Sequence, residues 1–349
     1  MNHREQRKRQ FLTDLFAGPF RGHAIIMNAE PVKAPYIGDY SIPGTPLLDW
    51  LPGVVQNYEN AVRCSEALDD DNVPTLRLNT NTGIFASAFG CPLHVYEDSP
   101  AAARPVVHTA QEADHLPMPR LDTPLLRFFE FAEMVRQRVG PEAPISVPDI
   151  QSAFDIAALV WHKEDLFAAL YDAPEAVKGL ADKCQTLLKM FWDEFARRFP
   201  ERNLCHCPNA WAPPELGVWL SEDEAGSLSV PMFEEFCLPY LVELSRTYGG
   251  LFVHCCATAD HQYGSFKKIP NLRGLNRVFQ APGPRPAIEA FAGETVLMVA
   301  WTAEEEIYKL LEMALPNTRF LFDMGAKPLE EARGLYERLR ARCPRVEAT

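Results

Sequence analysis

From about residue 145 onward, short β-rich runs alternate with amphipathic helical stretches, and this order constrains the fold more than any other feature of the chain. Strand-then-helix repetition implies parallel strands, because each parallel neighbour needs a crossover long enough to return the chain to the starting edge. Residues 145–147 open the series, and apolar residues at helical spacing follow over 156–171. The spacing predicts a helix over 174–198: Val177, Leu180, Ala181, Cys184, Leu187, Leu188 and Phe191 fall mostly three or four apart, with Pro174 in the first turn. Strand candidates then fall at 203–207, 218–220, 251–254, 272–276, 296–299 and 320–322, with helices at 302–314 and 328–342 after the last two. Residues 73–78 bring the strand candidates to eight, and 24–27 is a ninth whose place the pattern leaves open. Eight strands with intervening helices suit an α/β fold of the (β/α)8 TIM-barrel type better than two open sheets.

No Gly/Ser-rich or charged linker divides the chain, so residues 1–349 are expected to form a single domain. Residues 1–140 are rich in proline and read as irregular, a first strand plus a cap over the barrel mouth. Residues 346–349 read as a frayed tail.

The balance of 34 basic against 47 acidic residues gives a net charge of −13, which argues against binding a nucleic-acid backbone. No apolar run approaches the roughly 20 residues of a membrane helix. The basic start at residues 1–9 leads into Phe11-Leu12-Thr13-Asp14 and not into the apolar core of a secretory signal. The expected location is cytoplasmic, where the nine cysteines would be mostly reduced.

The most informative segment is Leu251-Phe252-Val253-His254-Cys255-Cys256, a buried strand that ends in chemistry. In a parallel barrel the active site lies at the C-terminal strand ends. Alternation directs His254 and Cys256 to one side and Cys255 to the other. Imidazole and thiolate together suit zinc, although two ligands are one short of a catalytic site. The competing reading is a core histidine beside two small buried cysteines. Cys205-His206-Cys207 is a second cluster, read either as a ligand source or as a cysteine-rich strand packed under the Trp211 loop. Asp323 stands at the end of the last strand candidate, where an acid can serve as ligand or base. Asp223 follows the 218–220 strand within Glu222-Asp223-Glu224, whereas Asp69-Asp70-Asp71 reads as a solvated loop. Neither a phosphate-binding glycine loop nor a nucleophile elbow is present.

Several of these segments, in order, resemble the uroporphyrinogen decarboxylase superfamily. They are Pro148-Asp149-Ile150-Gln151-Ser152-Ala153-Phe154, the Pro174-Glu175 helix start, Glu222 to Ser229 with Phe233 and Pro239-Tyr240, and Val253-His254-Cys255-Cys256. His254 and Cys256 resemble the His-X-Cys zinc motif of that superfamily's corrinoid-dependent methyltransferases. That branch carries a further cysteine near 323–325, and this chain has none there. The resemblance implies zinc on His254 and Cys256, with Asp323 as third ligand or Cys207 in its stead. Because they lie just after strand candidates, Asp223 is expected as a catalytic residue and Asp149, Gln151 and Trp211 are expected to line or border the same pocket as His254. The residues 22–28 lack the arginine-rich segment of the true decarboxylases. The expected function is therefore zinc-dependent methyl transfer between a small methylated substrate and a corrinoid held by a partner protein. The alternatives are a decarboxylase-like lyase of the same superfamily and a non-catalytic barrel that binds a small molecule.

Overall fold

The structure is a computed structural model, and it describes residues 3–18, 20–29, 40–42, 44–96, 101–121, 124–277, 279, 282–343 and 345. Its centre is a parallel sheet of β1 (Ala24–Ala29), β2 (Val218–Ser221), β3 (Leu251–Cys255), β4 (Leu272–Arg277), β5 (Val296–Ala300) and β6 (Phe320–Lys327). The strands lie in the order β1-β6-β5-β4-β3-β2. Because β1 pairs directly with β6, the run at 24–27 belongs to the barrel wall. The remaining arc is held by short contacts: Gln151 bridges to Ser221, Ile145 bridges to Leu76, and Asp71 N donates to Ile25 O at 3.0 Å. These bonds carry the wall from β2 back to β1, as a (β/α)8 barrel requires.

The 203–207 candidate departs from its expectation. Only Arg202–Asn203 pairs, in parallel with Ile145–Ser146, and the chain then leaves the wall through a cis Cys207–Pro208 bond. Asn203 anchors the excursion, its amide donating to Ser146 Oγ and to the carbonyls of Cys205 and Ala210. The helix over Pro174–Arg198 has the bounds that its spacing predicts. Its face carries Phe191 and Phe195 onto Phe128 and Phe129 of the helix Leu125–Val139, and each such fully buried ring contributes roughly 2 kcal/mol or more. The 156–171 stretch is two helices, Ala153–Val160 and Lys163–Asp172.

Two expectations are corrected. The N-terminal region is not irregular: it contains helices His3–Ala17, Leu47–Ala67 and Leu125–Val139. Pro52 lies inside the second of these helices, past its first turn, so the helix tolerates the loss of one internal hydrogen bond there. Asp70 and Asp71 are not solvated, since both are fully buried. Their side chains accept from Met27 N and Ile25 N, supplying β1 with the acceptors that a neighbouring strand would otherwise give. Lys8 neutralises Asp70, while Arg340 and Arg345 neutralise Asp71.

Glycine is required where β2 and β3 begin. Gly217 has φ +143, and a Cβ there would lie 2.1 Å from Gly250 O. Among the described residues, no helix is long and apolar enough to cross a membrane. Residues 346–349 lie outside the described residues.

Candidate active site

A cavity of about 560 Å³ opens at the C-terminal strand ends, and Asp149, Gln151, Cys207, Asp223, His254 and Cys256 all line it. The pairing registers explain part of this convergence. Gln151 opposes Ser221, Ser221 opposes His254 and His254 opposes Asn276, so one polar residue per strand meets at a single level of the wall.

His254 is buried at 6% exposure and held from both sides of its ring. Nδ1 lies 2.5 Å from Asn276 Oδ1, and the Asn276 amide nitrogen donates to Met298 O at 2.8 Å. That second bond fixes which end of the amide faces His254, so Nδ1 carries the proton and Nε2 presents its lone pair. Nε2 is 2.8 Å from Cys256 Sγ. Cys255 lies on the opposite side and is fully buried, as the alternation predicts.

Asp223 completes the group, because ligand atoms of Asp223, His254 and Cys256 all lie within 4.8 Å of one another. Three contacts place it there. Asp155 accepts from Asp223 N at 2.6 Å and from Glu224 N at 2.9 Å, and Asp223 Oδ1 accepts from Cys256 N at 2.5 Å. Gly226 permits the close approach, since a Cβ there would meet the Ala257 methyl at 2.5 Å.

Asp323 is placed elsewhere. The last strand does not stop at 323 but runs on to Lys327 beside β1, which leaves Asp323 inside it. Its carboxylate accepts from Asn28 Nδ2 at 2.6 Å, from Gly325 N at 2.9 Å and from Asn209 N at 3.3 Å. Trp211 does not line the cavity; it is buried, with the Arg9 guanidinium 5.4 Å from its ring centroid. Cys207 does border the cavity, as does His206, because the segment has left strand geometry and no longer alternates.

The electrostatics separate the acids. Burial, and then repulsion from Asp223, pushes Asp149 up to about 6. Burial drives Asp155 well above its ordinary range, and it pushes the neighbouring Glu222 to about 8. This carboxyl pair therefore retains a proton at neutral pH. Burial and the nearby Asp223 raise the Cys256 thiol to about 11, so a metal must displace its proton. Burial also pushes His206 well below the usual imidazole range, leaving it neutral beside Ser221 Oγ at 3.1 Å and Asp149 Oδ1 at 3.4 Å.

Arg77, Asp155, Asn276 and Trp301 are contributors that the sequence reading did not select, and His206 stood out only within the Cys205–Cys207 cluster. Trp301 follows β5 immediately, lines the cavity and is 66% exposed. A position one residue past a strand was the available signal for it. A second constellation, His108, His162 and Asp165, lies on the exposed surface and does not line the cavity.

Residues 73–198 match the family model of uroporphyrinogen decarboxylase (URO-D). Among solved structures, a methyltransferase from Methanosarcina mazei is similar with a TM-score of 0.63 over 94% of this chain and 96% of that chain. Identity is 12%, so this likeness speaks to the fold. A search of curated proteins gave no significant match. The superfamily resemblance read from short motifs and the barrel expected from strand order are both borne out.

Proposed function

We propose that this chain is a zinc-dependent methyltransferase that exchanges a methyl group between a small methylated substrate and a corrinoid carried by a separate protein. The carrying observation is the convergence of Asp223, His254 Nε2 and Cys256 Sγ on one point of the barrel mouth, with the histidine tautomer already set for ligation. The donor set fits zinc: one imidazole, one thiolate and one carboxylate leave a fourth tetrahedral position toward the cavity. A bound zinc ion would supply a Lewis acid that stabilises negative charge on the substrate heteroatom, and the corrinoid would supply the methyl carrier.

The residues of this chain do the rest. Asn276 orients His254, and Asp155 fixes the backbone that presents Asp223. Asp149, raised to about 6 and in contact with Gln151 Nε2 at 2.8 Å, is poised to hold or release a proton beside the heteroatom. Porphyrinogen decarboxylation is less well supported, because β1 contributes buried apolar residues Ala24, Ile25, Ile26 and Met27 in place of cations.

The test is zinc content and methyl exchange in the purified full-length chain, with methylcobalamin as the corrinoid probe. Stoichiometric zinc that is lost in both His254→Ala and Cys256→Ser supports the reading. A folded wild type that takes up no zinc refutes it.

A further inference from the structure

Among the described residues Arg77 is a cation without an ion-pair partner, in a chain with an excess of acid. It follows Leu76, whose pairing with Ile145 places this stretch in the wall and brings Arg77 to the barrel mouth. Its Nε donates to Asn79 Oδ1 at 2.9 Å. Its two terminal nitrogens meet no acceptor, and no carboxylate forms an ion pair with it, among the described residues. Arg77 nevertheless lines the main cavity together with Asp149 and Cys207.

Arg77 and Asn79 form a shared wall between the main cavity and a second one of about 180 Å³. The main cavity is lined by Asp149, Asp155, Asp223 and Glu224, whereas among the described residues no acid lines the second, and Arg77 is the one charged residue there. The other walls are neutral and fixed. Asn209 donates to Asn28, Asn28 to Asp323, and Asn72 to Met27 O, so these amides are already engaged. One hydroxyl residue, Thr75, lines this second cavity, with its Oγ1 3.1 Å from Ser146 Oγ; Thr80, whose Oγ1 accepts from Asp149 N, lines the main cavity on the other side of Arg77. A half-buried guanidinium whose terminal nitrogens meet no protein acceptor among the described residues keeps its charge-assisted hydrogen bonds available for a bound anion. A planar fork beside a threonine hydroxyl, in a pocket lined by no acidic side chain among the described residues, is complementary to an oxyanion.

We propose that this side cavity is an oxyanion subsite, which takes the carboxylate or phosphate of a substrate whose methyl-bearing end lies at the Asp223–His254–Cys256 group. The assignment of the anion to the methylated substrate rests on the functional reading above, but the anion site does not. Calorimetric titration of the metal-free full chain with acetate and with inorganic phosphate tests the site and separates the two oxyanions.

Saturable millimolar binding of at least one anion is expected. Arg77→Gln should weaken it by about tenfold or more, and Arg77→Lys by less, because the charge remains while the fork is lost. Arg7→Gln, at an exposed position, should leave it unchanged. His254→Ala should also leave it unchanged, so loss of the zinc site and loss of the anion site read out separately. Arg77→Lys keeps the comparison available if Arg77→Gln does not fold. Absence of saturable binding by both anions, or equal affinity in wild type and a folded Arg77 variant, overturns the proposal.

Discussion

Asn276 Oδ1 lies 2.5 Å from His254 Nδ1 because the two residues are register partners on adjacent parallel strands. Backbone pairing, not chance side-chain approach, therefore sets the tautomer of the proposed ligand. Asn276→Ala should lower zinc affinity by about ten- to a hundredfold while leaving the ligand set intact. Competition with a chromophoric chelator measures this, and an unchanged affinity would show that the orientation is supplied elsewhere.

Asp223 and Asp323 can be separated directly. Asp223→Asn should abolish stoichiometric zinc with little change in stability. Asp323→Asn should retain zinc but destabilise the fold by about 1–3 kcal/mol, since three donors, one of them buried, depend on that carboxylate. Metal analysis and denaturant unfolding of both variants decide the matter, and the reverse pattern would return the ligand role to Asp323.

Asp155 acts through the backbone of its neighbours. Asp155→Ala leaves the amides of Asp223 and Glu224 without acceptors, at a cost of about 2 kcal/mol or more. Hydrogen exchange at these two amides should speed up, and zinc affinity should fall. Unaltered exchange there would contradict a positioning role.

His23 links the fold to pH. Phe320 N donates to its Nδ1 at 3.2 Å, which requires that nitrogen to be unprotonated. Burial, and then the Arg340 charge, lowers its pKa from 6.5 to about 4. The unfolded chain therefore binds this proton more readily than the folded one between those values. The stabilisation is complete above pH 6.5 and is lost as pH falls through about 4, amounting to roughly 2 kcal/mol after allowance for partial exposure. His23→Gln should flatten the stability profile across that window, as chemical denaturation at several pH values would report. A variant with the wild-type slope would assign the effect to another group.

The barrel was legible from strand order because apolar β-rich runs and helical periodicity leave direct marks on sequence. The residues at 24–27 and 203–207 exchanged importance for a reason no local pattern carries. The first run gains its place by pairing with a strand almost three hundred positions away, while the second is drawn off the wall by the Asn203 anchor. His254 and Cys256 were readable because two residues on one strand need only alternation to meet. Sequence position favoured Asp323 or Cys207 as third ligand and gave Asp223 a catalytic place, because what sets these two acids apart depends on Asp155 and Asn28, which arrive from other elements. Arg77 left no signal, because what marks it is the ion pair it does not make among the described residues, whereas His206 was visible only as part of the Cys205–Cys207 cluster.

The pairing of β1 with β6 has a consequence for synthesis. During translation the first strand waits for the last before its open edge is covered, while Asp70 and Asp71 already serve the other edge. Contacts of such sequence separation form late and slowly, and an uncovered edge invites association with other nascent chains. A polypeptide halted before Phe320 would expose two apolar strand edges at once, β1 and β5, so premature termination should yield aggregates and not a smaller soluble barrel.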